Sequence, residues 1–178
     1  MIEETPERYA VGRHYVVATD GACKGNPGTG GWGAVIQLRD GAEVIKQRAL
    51  AEQGEVMIST NNKMEMTAAI RALEKLAEPL PVILMSDSEY VVLGITERMS
   101  KWKANGWRTS DNKPAKNLEL WQQLDQLSTG RSIQWKWVRG HRGHKLNEMA
   151  NTLADQGALG MFPDGEKSVR KRYPAWFK

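Results

Sequence analysis

Three acids in this chain are spaced so that they can do chemistry together. Asp20 and Asp87 each close an apolar run, His14 to Asp20 and Val82 to Asp87. Such a run reads as a buried strand, and a carboxylate at its carboxyl end can project into the crevice outside a sheet. Glu65 lies on the polar face of a helix predicted from Ser59 or Thr60 to about Ala77, where it can join them. Converging carboxylates repel one another unless a cation sits among them, and a set of hard oxygen ligands suits Mg²⁺. Taken singly, each acid is more often an ordinary surface residue, and spacing alone favours that reading over a metal site.

Other residues carry weaker signals. Val138 to His144 is a glycine-rich loop leaving a strand, and His141 within it can carry protons near neutral pH. A zinc site on His141 and His144 is unfavourable, because one cysteine and no third nearby histidine are available to complete it. Gly28 to Gly33 matches G-x-G-x-x-G in form. Trp32 to Arg39 reads as a strand where a dinucleotide site needs a helix, so the glycines serve a tight strand connection instead. Between residues 98 and 116, Arg98, Lys101, Lys103, Arg108, Lys113 and Lys116 face a single acid, Asp111, and Trp102 and Trp107 are interleaved with them. Basic groups neutralise phosphates while aromatic rings pack on sugar or base. The alternative is a solvated face whose tryptophans belong to the core, and with seven tryptophans in the chain several must. A second basic cluster, Lys167, Arg170, Lys171, Arg172 and Lys178, reads as a solvated tail.

The elements that must position these groups follow from periodicity and punctuation. His14 to Asp20, Trp32 to Arg39 and Glu43 to Ala51 read as strands of an antiparallel meander, with Gly21 to Gly31 as a loop and Asp40-Gly41 as a hairpin turn. After the helix and the strand ending at Asp87 come two short helices around Val91 to Trp102 and a loop from Gly106 to Pro114. A helix near Asn117 to Ser128, a strand from Ser132 to Val138 and a helix from Lys145 to Leu159 complete the order. That order implies an α/β fold, a mixed sheet with helices on its faces. The 178 residues divide into a polar arm (1–13), one domain (14–160) and a basic extension (161–178), with 40% hydrophobic residues to supply the core. A net charge of +4 is mildly basic. The lone Cys23 and the absence of an apolar run behind a basic start point to a reducing cytoplasm, and no stretch is apolar enough to span a membrane.

Taken together, the motifs resemble type 1 ribonuclease H. The family's Thr-Asp-Gly-(Ser/Ala)-Cys-x-Gly-Asn-Pro-Gly stands at Thr19 to Gly28, its Thr-Asn-Asn-x-Met-Glu at Thr60 to Glu65, its (Thr/Ser)-Asp-Ser at Ser86 to Ser88, and its Gly-His-x-Gly-His at Gly140 to His144. The resemblance implies a five-stranded ribonuclease H-like sheet with helices on both faces. It also implies an endonuclease that hydrolyses the RNA strand of RNA–DNA hybrids with two Mg²⁺ ions, for which Mn²⁺ can substitute, leaving 5′-phosphate and 3′-hydroxyl ends. Asp20, Glu65 and Asp87 would ligate the metal ions, and His141 would assist proton transfer or product release. Asn26, Thr60 and Asn117 would hold a DNA-strand phosphate. Asn61, Asn62, Ser88 and the backbone of Gly21, Ala22 and Cys23 would contact the hybrid, where RNA alone offers a 2′-hydroxyl. Lys101, Trp102, Lys103, Trp107 and Arg108 would form the family's basic protrusion.

Two departures stand out. The family's fourth metal-site acid aligns with Asn151, where an amide keeps the shape and one oxygen but loses the charge. The intact remainder of the site favours a deliberate aspartate-to-asparagine change over a natural variant. Arg98 stands where some relatives carry tryptophan. The expectation is a free-standing, monomeric hybrid nuclease with no obligate protein partner, its activity reduced by Asn151; the rival is a non-catalytic hybrid-binding module.

Overall fold

The structure, a computed structural model, describes residues 12–55, 58–140 and 143–178. Five strands form one sheet in the order β3-β2-β1-β4-β5. They are β1 (Arg13–Lys24), β2 (Thr29–Asp40), β3 (Glu43–Gln53), β4 (Val82–Ser86) and β5 (Ile133–Trp137). The first three pair antiparallel, while β4 runs parallel to both β1 and β5. The helices are α1 (Asn61–Glu74), α2 (Glu89–Leu93), α3 (Met99–Ala104), α4 (Leu118–Ser128), α5 (Lys145–Ala158) and α6 (Glu166–Arg172). A π-helical turn, Gly94–Arg98, joins α2 to α3.

The expected loop from Gly21 to Gly31 is shorter than the sequence implied. β1 continues through Lys24 and β2 begins at Thr29, with Lys24 opposite Thr29. Glycine lowers intrinsic strand preference, but ladder pairing to a neighbour overrides it. The helix expected to reach Ala77 stops at Glu74. Its start is capped by Thr60, whose hydroxyl accepts from the Lys63 N–H at 3.3 Å.

Both faces of the sheet are covered. On one side Tyr15, Val17, Ile36 and Leu84 pack with Ile70 and Leu73 of α1 and with Trp121 and Leu124 of α4. On the other, Val16, Ala18, Ile83 and Met85 meet Ala150 of α5, and Val35, Ala49 and Ala51 meet Leu153, Phe162 and Val169. Residues after Gly160 are therefore not irregular throughout. Phe162 and Val169 are buried, Pro174–Phe177 forms a 3₁₀ turn, and Arg48 on β3 holds Glu166 at 2.9 Å.

Candidate active site

Strand register builds the centre of the site. Thr19 on β1 pairs with Ser86 on the parallel β4, so the residues that follow, Asp20 and Asp87, emerge side by side at the same end of the sheet. Neighbouring strands lie just under 5 Å apart, which sets the separation of the two acids. Glu65 reaches them because Gly21 lets α1 come close. A Cβ at position 21 would lie 2.3 Å from the Glu65 backbone nitrogen, so only glycine fits. Carboxylate oxygens of Asp20, Glu65 and Asp87 then lie within 4.8 Å of one another.

The opposite helix delivers a fourth group by a similar device. Gly33 is the β2 partner of Asp20, and a Cβ there would lie 2.5 Å from the Ala150 carbonyl oxygen. The absence of that Cβ lets α5 sit directly on the sheet, and Asn151 Nδ2 donates to Asp20 Oδ2 at 2.8 Å. Of the glycines that imitate a dinucleotide fingerprint, Gly30, Gly31 and Gly33 lie within β2 itself and admit α1 and α5 to the sheet, while Gly28 serves the turn before it.

The site's electrostatics are unfavourable for an empty cluster. Asp20 is 3% exposed, and burial raises its pKa above the usual carboxylate value, aided by the charge of Asp87 and opposed by hydrogen bonds from neighbours including Asn151 and the Gly21 N–H. Glu65 is pushed well above its ordinary value, first by burial and then by the charge of Asp20. Glu65 Oε2 is buried with no hydrogen-bond partner. A buried carboxylate oxygen left without a donor is costly, and a divalent cation among the three acids would offset that cost at Glu65 together with their mutual repulsion. The donor set, three carboxylates and an amide, is all hard oxygen apart from the amide nitrogen.

Around this centre the structure gathers some of the expected binding residues. Asn26 Oδ1 accepts from the Asn61 N–H at 3.3 Å, next to the Thr60 cap. A cleft of about 680 Å³ between α1 and α4 is lined by Ser59, Lys63 and Asn117, which brings Asn117 to the same end of α1. Asn117 itself has φ 58° and donates through Nδ2 to the Tyr90 hydroxyl at 3.0 Å. Asn62 is exposed beside them. Ser88 caps α2 by accepting from the Val91 N–H, and Cys23 Sγ points inward to the carbonyls of Gly28 and Ser59. Both side chains are therefore occupied in building the loops that carry the acids. His141 lies outside the described residues.

The basic segment is more structured than its sequence implies. Trp102 sits edge-on to Trp121, with ring centroids 5.4 Å apart, and Trp102 and Trp107 both pack against the core. Trp107 has φ 62°, uncommon for so bulky a residue, and is held by bonds from its N–H to the Trp102 carbonyl and from the Ala115 N–H to its own carbonyl. Lys103 pairs with Asp125 at 2.9 Å, and Arg108 donates to the Asn112 carbonyl. Lys101 is exposed. Two positioning residues escaped the sequence reading: Tyr90, which holds Asn117, and Trp137, whose Nε1 donates to the Asp87 carbonyl at 3.1 Å. No spacing rule connects either to its partner.

The sequence model of the RNase H family matches residues 12–159. The chain is 49% identical over 152 residues to the ribonuclease H of Dinoroseobacter shibae, covering 85% of this chain and 96% of the relative. It is 53% identical over 153 residues to that of Polaromonas naphthalenivorans, covering 83% and 91%. This chain belongs to the ribonuclease H family. Membership makes it a nuclease, and the five-stranded mixed sheet is the family's fold. Among solved structures it is similar to LC9-RNase H1, described as a type 1 RNase H with the type 2 active-site motif. That match is 34% identical, has a TM-score of 0.72, and covers 84% of this chain and 74% of the other. The acidic end of β1 and β4, closed by Glu65 and Asn151, is the candidate active site of this ribonuclease H family member. Among the described residues no helix is long and apolar enough to cross a membrane.

Proposed function

We propose that the chain is an endonuclease that hydrolyses the RNA strand of RNA–DNA hybrids with divalent metal ions, Mg²⁺ in the first instance and Mn²⁺ as a substitute, leaving 5′-phosphate and 3′-hydroxyl ends. The observation that carries this is the cluster of three carboxylates within 4.8 Å, one of whose buried oxygens lacks a donor. Asp20, Glu65 and Asp87 would hold two ions, with Asn151 as the fourth group. Ions bound there would supply an activated water and neutralise charge at the leaving 3′ oxygen. The chain's own contribution is to hold the acids in place: register fixes Asp20 against Asp87, Gly21 admits Glu65, and the Asn151 amide and the Gly21 N–H each hold one Asp20 oxygen. His141 would move a proton or help product leave.

In this reading Asn26, Thr60 and Asn117 seat a DNA-strand phosphate. The Gly21 to Cys23 backbone, Asn61, Asn62 and Ser88 meet the RNA strand, and the segment around Lys101, Trp102, Lys103, Trp107 and Arg108 grips the DNA. Support for a hybrid substrate also comes from LC11-RNase H1, which shares this fold at 22% identity with a TM-score of 0.56, covers 80% of this chain and 97% of its own length, and was solved in complex with RNA/DNA hybrid. The reading carries with it a monomer with no obligate protein partner, acting in the cytoplasm, where the free thiol of Cys23 stays reduced.

Asn151 bears on a second reading, a hybrid-binding module without catalysis. LC9-RNase H1, described as a type 1 RNase H with the type 2 active-site motif, is an example of this fold carrying another motif; in the catalytic reading Asn151 works as the fourth group here. Cleavage of end-labelled RNA–DNA hybrid, RNA duplex and DNA duplex, with and without Mg²⁺, separates the two. Metal-dependent products with 5′-phosphates from the hybrid alone are expected. Binding with no products in either Mg²⁺ or Mn²⁺ would establish the binding module.

A further inference from the structure

The second basic cluster stays exposed, as its sequence suggests, but the segment that carries it is docked through Phe162 and Val169. α6 and the 3₁₀ turn fold back along β3, and between them, the ends of β2 and β3 and the start of α5 lies a groove of about 630 Å³. Arg39 and Lys46 contribute from the strands, Lys145 from α5, and Arg170 and Lys178 from the tail; among the described residues no aspartate or glutamate lines it. Its floor is partly apolar, with Val44 44% and Ile45 50% exposed. The groove lies on the side of the sheet that carries α5, whereas Trp102 and Trp107 of the protrusion pack on the α1 and α4 side. Lys145 is the first residue of the helix that follows the Gly140 to His144 loop, and Gly140 passes so close to Asp87 that a Cβ on it would lie 2.7 Å from Oδ2.

We propose that this groove is a second phosphate-backbone site, which takes the part of a nucleic-acid substrate that runs past the catalytic edge. The inference rests on the hybrid-nuclease reading and adds a site to it. Cations standing on three walls match a chain of phosphates passing between them, and displacing counterions from that chain supplies the affinity. Arg39 stands six residues along β2 from Gly33, the partner of Asp20, so the groove's strand wall lies about 20 Å from the acids, within reach of a single-stranded overhang of several nucleotides. An acidic peptide is the competing polyanion, but carboxylates gain most from bidentate guanidinium partners, and both arginines here are committed, Arg39 to Gln37 Oε1 and Arg170 over Phe177, which leaves lysines that act on phosphate as point charges. Here the rings are engaged within the tail: Tyr173 stacks on Trp176 with centroids 4.1 Å apart, and the Arg170 guanidinium covers Phe177 at 4.3 Å. What remains open is aliphatic surface and positive charge, on which a sugar-phosphate backbone can lie without base readout.

The test compares two substrates in the full chain: a short blunt hybrid, and the same hybrid carrying a single-stranded overhang at one end or the other. Wild-type protein is set against Lys46→Gln/Lys178→Gln, two exposed positions remote from the carboxylates. The expected result is an overhang-dependent fall in KM of about tenfold for wild type, reduced to about twofold or less in the variant, with kcat on the blunt hybrid unchanged. The slope of log KM against log salt on the overhang substrate should fall by about one to two in magnitude, following the loss of two phosphate contacts. Lys46→Arg/Lys178→Arg should restore both, and matching melting temperatures show that the tail remains docked. Equal KM values for blunt and overhang substrates in wild type would overturn the proposal, as would an overhang effect that survives in the variant. Displacement of neither overhang by excess single strand, together with binding of poly-glutamate that the variant loses, would assign the groove to an acidic protein instead. Blunt-hybrid cleavage by wild type reports separately on the nuclease reading.

Discussion

The carboxylate end of the sheet and the face of β3 under the tail are built on opposite electrostatic terms. Where the tail docks on β3, beside the basic groove, the contacting groups are matched: Arg48 meets Glu166, the Gln47 amide donates to the Trp176 carbonyl, and the Tyr173 hydroxyl donates to Gln156. At the acidic end three like charges crowd together, two with raised pKa values, and Glu65 Oε2 has no donor. One region is stable as it stands. The other is held together by packing elsewhere and left with an unmet demand for positive charge, and that demand is what a metal-dependent active site needs. Perturbed carboxylates in a crevice are a general mark of function, because stability alone would not select them.

Removing the demand gives the sharpest break in this contrast. Glu65→Gln should lower metal-dependent hybrid cleavage by about a thousandfold or more, the scale of several kcal/mol of lost charge stabilisation, while circular dichroism stays that of the wild type. Wild-type turnover in that variant would take Glu65 out of the site. Cutting into the other region does the reverse. Phe162→Ala should cost about 3 kcal/mol of unfolding free energy in a denaturant titration, with cleavage unchanged at a permissive temperature. A loss of activity without a loss of stability would tie the tail to catalysis.

Smaller effects refine the comparison. Asn151→Asp should lower the Mg²⁺ concentration for half-maximal cleavage by about tenfold, the value of roughly 1.4 kcal/mol of added attraction, and should lower the metal-free melting temperature because a fourth negative charge joins the cluster. An unchanged Mg²⁺ requirement would place Asn151 outside the metal's reach. The pH dependence has a defined sign. Glu65 has a raised pKa in the folded protein, so the folded state keeps a proton that the unfolded chain gives up. Its stabilisation is complete below the ordinary value of 4.5 and is lost as pH rises through the raised folded value. Metal-free wild type should therefore lose stability relative to Glu65→Gln as pH rises from 4.5 through the raised folded value, and saturating Mg²⁺ should remove the difference. Thermal melts over pH, with and without Mg²⁺, check this. Smallest, Lys101→Ala should weaken hybrid binding a few-fold and flatten its salt slope by about one, more than Lys103→Ala, whose ammonium is already paired with Asp125.

Much of the site was legible because its signals are local. Apolar runs ending in Asp20 and Asp87, the Thr60 cap and the Gly140 to His144 loop each declare themselves within a few residues, and the motifs that contain them resemble one family in order. The loop drawn from Gly21 to Gly31 was too long because local glycine content says nothing of a neighbouring strand's ladder. Trp102 and Trp107 could be read as ligand-facing or as core, and their packing on Trp121 and the core was decided by residues far along the chain. The tail looked irregular because Phe162, Val169 and Tyr173 have no pattern of their own; they answer apolar positions on β3 and α5.

By itself the sequence determined which groups exist and on what elements: strands ending in acids, a capped helix bearing Glu65, an amide at 151 and two clusters of positive charge. Tertiary structure decided which of them meet. Parallel pairing of Thr19 with Ser86 set Asp20 beside Asp87, and two glycines too small to hold α1 and α5 away from the sheet brought in Glu65 and Asn151. Return of the tail to β3 turned a run of basic residues into one wall of a groove. Periodicity along a chain reports which face of an element is apolar, but register and close approach are properties of pairs of elements, and only packing fixes them.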